Sequence, residues 1–83
     1  MKQKAVALSY SALSGQKAPK VIASGQGLLA EQICLVAQRH EIEFIADPLL
    51  VDSLVNVPVG AEIPRELYDS VAVIFRYLLS AGK

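Results

Sequence analysis

The chain has 83 residues, with eight basic and eight acidic side chains, so its formal charge is zero, and 53% of it is hydrophobic. A mean hydropathy of +0.40 excludes a disordered chain, because apolar surface is ample to offset chain entropy. No apolar run approaches the ~20 residues that cross a bilayer, and a lone cysteine, Cys34, excludes an internal disulfide framework or a multi-cysteine zinc site.

This length suits one domain over residues 1–83, with a thin core. The apolar excess implies that some hydrophobic surface stays exposed for a partner. The opening MKQKAVALSY has no long apolar stretch before a small-residue cleavage site. A soluble cytoplasmic domain is expected. Its charges are segregated: Lys2, Lys4, Lys17 and Lys20 make the first twenty residues purely basic, whereas Glu41 to Asp69 holds seven acids and one base, Arg65. Nucleic acid is not an expected partner, since that needs Lys and Arg clustered on one face of a basic domain.

Residues 4–10 (KAVALSY) alternate Val6 and Leu8 with small residues, which predicts a strand. Residues 11–19 carry Ser, Gly and Pro and read as a loop. Residues 20–24 (KVIAS) form a second short strand, broken by Gly25-Gln26-Gly27. A helix follows over 28–40, with Leu29, Ile33, Val36 and His40 on one face. Residues 41–46 (EIEFIA) alternate again and read as a third strand, making a parallel crossover with the second. Asp47 suits the cap of a short helix over 49–55, and Pro48 its first turn. Pro64 opens a last helix over 65–79.

That last helix carries a core stripe of Leu67, Val71, Ile74 and Leu78. Beside it runs a second apolar stripe of Tyr68, Ala72, Phe75 and Leu79, with Val73 and Tyr77 widening the arc. A surface helix needs an apolar arc of little more than ~100°. Part of this one should therefore be covered by another element or by a partner.

Catalytic chemistry is thinly represented. His40 is a lone histidine at a helix end, with no spacing to a nucleophile and an acid. Cys34 sits among Ile33, Leu35 and Val36 and reads as core. Glu41 and Glu43 share a strand face that solvent explains better than acid–base work. Gly25-Gln26-Gly27-Leu28-Leu29-Ala30 has the form of a dinucleotide loop, and Asp47 lies where a ribose-binding acid would sit. One crossover unit cannot supply the second half of a dinucleotide crevice. The preferred reading is that Gly25 and Gly27 serve the strand-to-helix turn, with a small nucleotide-binding regulator as the alternative.

Taken in order, AVALSY at 5–10, APKVIASGQGLLAEQI at 18–33, RHEIEFIADPLL at 39–50 and GAEIPRELYDSVAVIF at 60–75 resemble the cytoplasmic C-terminal domain of the FlhB/YscU family. These are the export-switch proteins of flagellar and injectisome type III secretion. The resemblance implies a small α/β domain, with a mixed sheet of about three strands from this chain flanked by about three helices. It also implies a non-enzymatic role in bacterial protein export, helping to switch substrate specificity as the cleaved C-terminal fragment does. The implied partners are export apparatus proteins and export substrates, with peripheral docking at the membrane export gate. No cofactor, metal site or catalytic residue is implied.

Family members cleave themselves at an Asn-Pro-Thr-His motif just before the first strand. Here Met1, Lys2 and Gln3 hold the Pro, Thr and His positions, and the only asparagine, Asn56, precedes Val57. The cyclising side chain is missing, so the resemblance implies a stand-alone homologue of the cleaved fragment. The usual Pro-Pro-Leu is Pro48-Leu49-Leu50, a common basic position is Asp52, and a common Glu in the last helix is Val73. The family's substrate-contact patch maps onto Ala18, Pro19, Ala72 and Phe75, with Phe75 bulkier than the usual Leu.

Overall fold

The computed structural model describes residues 3–10 and 18–81, with side chains through Leu78. Residues 11–17 of the expected loop, the Met1 and Lys2 positions and Gly82 lie outside the described residues. The elements are β1 (Lys4–Ser9), β2 (Lys20–Gln26), α1 (Leu28–Arg39), α2 (Pro48–Leu54), a 3-10 turn (Arg65–Leu67) and α3 (Tyr68–Ala81). β1 and β2 pair antiparallel, with Ala7 opposite Ala23 and Leu8 opposite Val21, so Ile22 bulges out of the ladder.

Alternation along β1 sends Val6 and Leu8 to one face and Ala5 and Ala7 to the other. Val6 and Leu8 pack on a core of Ala18, Val21, Leu54, Ile63 and Val71, contributed by the sheet, α2, the segment before the 3-10 turn, and α3. On the opposite face Gly25, paired with Ala5, lies against Leu29 of α1. Small residues on that face let α1 come close. The result is a two-stranded sheet layer held between α1 on one side and α2 with α3 on the other. Only six described hydrophobic residues are buried, those five and Ala30, which is the thin core expected of a short chain.

β2 is also covered at the start of its outer edge. The Val21 N–H donates to the Ala61 carbonyl (3.0 Å), the Gly60 N–H donates to the Val21 carbonyl (2.7 Å), and the Ile63 N–H donates to the Pro19 carbonyl (2.9 Å). Gly60 makes this approach with φ 93°, closing a turn in which the Ala61 N–H reaches the Pro58 carbonyl at 3.1 Å.

The third strand and its parallel crossover are corrected. Among the described residues the sheet has two antiparallel strands, and residues 42–47 pair with neither. Ile42, Phe44 and Ile45 stay 58%, 47% and 41% exposed. The reason begins at the end of α1, where Glu41 takes the left-handed conformation (φ 56°). The Glu41 N–H bonds the Gln38 carbonyl (3.1 Å) and the Ile42 N–H bonds the Ala37 carbonyl (2.9 Å). This double closure, with Glu where glycine is usual, turns the chain away from β2 and toward the β1 side. Asp47 and Pro48 behave as the sequence implies: Pro48 opens α2 and the Asp47 side chain accepts from the Leu50 N–H at 3.1 Å. A Lys4–Asp52 ion pair of 2.6 Å ties β1 to α2. Both side chains are partly solvated, so it adds little to stability.

These turns lead to stability predictions for three variants. A Cβ on Gly25 would stand 2.8 Å from the Leu29 Cβ, so Gly25→Ala should force α1 outward and cost about 1–3 kcal/mol. Gly27 has open space around it but φ 64° and ψ −129°, a conformation costly for any other residue, so Gly27→Ala should cost about 1 kcal/mol or more. Each should lower Tm by about 4–8 °C per kcal/mol for a chain of this size. Glu41→Gly should act oppositely, because relief of a left-handed penalty of about 1–2 kcal/mol outweighs the entropy glycine adds to the unfolded chain. Thermal melts of the three variants check both signs.

Candidate functional site

The end of β1, the entry to β2 and the outer side of α3 meet around an apolar groove of about 340 Å³. Ala18, Pro19, Ala72 and Phe75, the four positions expected from sequence, all line it. Ala18 is 2% exposed and forms the floor, Pro19 is half-buried beside it, and Ala72 is exposed on α3. Phe75 is half-buried and packs against the core. Its ring meets Tyr10 with centroids 6.1 Å apart and planes tilted by 49°, a favourable aromatic pairing.

What brings these positions together is the bonding of residues 60–63 to the start of β2. It sets Ile63 and Pro64, and through them α3, directly beside Ala18-Pro19. The helical period then puts Val71 inward, 2% exposed, and turns Ala72 about 100° toward the groove. Tyr10, Tyr68 and Arg76 complete the rim, and the Arg76 Nε donates to the Ala72 carbonyl at 3.4 Å. Tyr10 and Arg76 are additions that sequence reasoning missed. Tyr10 closes a predicted strand, and nothing in its spacing pointed to α3.

The other sequence candidates are scattered. His40, Glu41 and Glu43 are exposed. Cys34, read from sequence as core, is half-buried, with a long contact from the Gln3 amide at 3.9 Å. Among the described residues no three His, Cys, Asp or Glu side chains gather as a metal would require. The dinucleotide-like loop is engaged within the chain. Leu29 occupies the space beside Gly25, the Gly27 N–H donates to the Gln3 carbonyl at 2.7 Å, and the carboxylate of Asp47 caps α2. A nucleotide would have to displace all three contacts, and the nucleotide-binding alternative is not supported.

The groove is apolar and lies where β1, the entry to β2 and α3 meet in a three-layer α/β unit. Comparison with known proteins gives the class: the chain belongs to the FlhB HrpN YscU SpaS family, whose model matches residues 2–78. It is 38% identical over 76 residues to the uncharacterized protein YlqH of Bacillus subtilis (strain 168), covering 92% of this chain and 81% of that one. It is 37% identical over 80 residues to the flagellar biosynthetic protein FlhB of Aquifex aeolicus, covering 95% of this chain but 23% of that protein. The chain thus spans under a quarter of the flagellar relative's length. Among solved structures, a mutated EscU/SpaS C-terminal domain superposes with a TM-score of 0.85 at 31% identity, covering 93% of this chain and 95% of that one. The PscU C-terminal domain, at 22% identity, shares the fold with a TM-score of 0.83. The family and fold are those of a flagellar or type III export-switch domain. No helix among the described residues is long and apolar enough to cross a membrane.

Proposed function

We propose that this chain is a non-enzymatic component of type III protein export, acting as the C-terminal fragment of an export-switch protein does in substrate recognition and specificity switching. The observation that carries the reading is that Ala18, Pro19, Ala72 and Phe75 line one apolar groove. A groove with an alanine floor, aromatic walls and an arginine at the rim takes a few apolar anchors from an otherwise extended chain. Such contacts bind weakly, in about the micromolar range or above, because the bound segment must be ordered. The partners on this reading are export substrates and the export apparatus, with docking at the membrane export gate. The 83 residues fold as one domain, working at the cytoplasmic side.

The test pairs folding with substrate handling. Ala72 is exposed, so Ala72→Asp should change stability by no more than about 0.5 kcal/mol while weakening binding or export of an early substrate at least about tenfold. Phe75→Asp buries a charge against the core and Tyr10, and should cost about 2 kcal/mol or more of stability. Phe75→Leu keeps an apolar side chain but loses volume and the Tyr10 ring contact, so it should cost about 1 kcal/mol of stability while preserving substrate handling. A folded Ala72→Asp protein that still handles substrate normally would refute the proposed contact.

Self-cleavage is the one reaction the family performs, and this chain lacks its chemistry. No Asn-Pro pair occurs among the 83 residues, and the Asn56 side chain donates to the Asp52 carbonyl at 3.3 Å. The purified chain should remain one intact species on prolonged incubation. An internal backbone cut in the mass spectrum would contradict this.

A further inference from the structure

Every polar side chain that lines the groove on α3 carries a donor. The lining is apolar except for Arg76 and the hydroxyls of Tyr10 and Tyr68, and no carboxylate belongs to it. A tyrosine hydroxyl donates or accepts, whereas a guanidinium only donates and keeps its charge. The groove therefore has a positive rim on a chain whose formal charge is zero. Arg76 is exposed on α3, close to one turn after Ala72. Helical side chains lean toward the N-terminus, and here the Arg76 Nε reaches back to the Ala72 carbonyl at 3.4 Å. That contact holds the guanidinium near Ala72 and leaves the Nη hydrogens unused. Among the described residues the ion pair is Lys4 with Asp52. Even Asp69, exposed two turns before Arg76 on the same face, forms none with it.

We infer that Arg76 is a specificity-determining residue of this groove: the segment bound there carries an Asp or Glu side chain one or two positions from the apolar anchor that sits over Ala72. The inference rests on the reading of the groove as the export-substrate contact. The spacing follows from the helix. Arg76 lies within about one turn of Ala72, ~5.4 Å along the axis, and an extended chain advances ~3.3 Å per residue. The free Nη end of the guanidinium offers the paired donors that match a carboxylate. A side-chain carboxylate fits better than a chain end, because terminal carboxylates are captured by nests of free backbone N–H groups. Ala72 and Arg76 lie inside α3 (Tyr68–Ala81), where backbone N–H groups are already spent on the helix. A lysine at the same place in the segment would meet a like charge. Apolar anchors alone fit many extended chains, so the rim charge narrows which of them are taken.

The probe is a set of C-terminally amidated peptides with a Leu anchor and Asp, Asn or Lys placed one or two positions to either side, titrated onto the whole chain. The best Asp peptide should bind about three- to tenfold tighter than its Asn counterpart, with the Lys peptide weakest. Arg76→Gln should bring the Asp and Asn peptides to equal affinity without changing Tm, since Arg76 is exposed. Arg76→Glu should make the Lys peptide the best of the three. The preference should fade as salt approaches 1 M, where charges are screened beyond ~3 Å. Saturable binding that Ala72→Asp removes, but with no advantage for Asp in the unaltered chain, overturns this inference alone and leaves the export-substrate contact standing. Absence of saturable binding by any peptide overturns both. An acidic preference that persists in Arg76→Gln overturns the assignment by placing the selecting cation elsewhere. A preference seen only with free-acid peptides overturns it by making a chain end the ligand, and a dimer that the peptides dissociate does so by making a second copy the occupant.

Discussion

Val21 is the point at which most of this structure is joined. Its side chain is 0% exposed among Leu54, Ile63 and Val71, it stands opposite Leu8 in the ladder, and its N–H and carbonyl bond Ala61 and Gly60. One residue thus fixes the sheet, the irregular segment at 60–63 and two helices relative to one another. The groove on α3 inherits its shape from that arrangement. With residues 60–63 bonded elsewhere, α3 would start in another place and Ala72 would not face Ala18-Pro19. In a chain with so few buried residues, a single well-bonded position carries a larger share of specificity than it would in a bigger core.

Much of this was legible beforehand because it depends on local chemistry. Asp47-Pro48 announces a helix start by a carboxylate that accepts an N–H and a ring that suits the first turn. The double stripe of α3 is a matter of period, and the four patch positions came from the family resemblance. What could not be read has a common cause, namely pairing between segments distant in sequence. The alternation of EIEFIA describes a segment with two kinds of face, but whether it joins a sheet depends on what lies alongside. β2's outer edge is taken at its start by residues 60–63, a stretch whose Pro58 and Gly60 read only as a break. Glu41 in the left-handed region is equally silent, since the usual signal there is a glycine.

Among the described residues the two charge blocks of the sequence meet in one ion pair, Lys4 with Asp52. The pair is partly solvated and joins the outer surfaces of β1 and α2 without adding much to stability. The acidic block otherwise remains in solvent, as Glu43 and Glu62 do. Arg76 borders the groove on α3, while Glu43, Asp47 and Asp52 lie with Lys4 around the cavity beside β1.

The span from Ile42 to Asp47 is anchored at both ends, by the closure of α1 on Ala37 and by the cap on Leu50. Between those anchors only residues 43–46 are free of backbone bonds, a tether of at most about 14 Å when extended. Ordinarily exposed Ile and Phe side chains would be expected to fold inward and shelter one another. A tether this short has no slack for such a retreat, so helix termination, rather than any local preference of the residues themselves, keeps Phe44 and Ile45 on display. The entropy of holding the segment open has already been removed by the two helices, and whatever meets it encounters a surface that does not have to be ordered first.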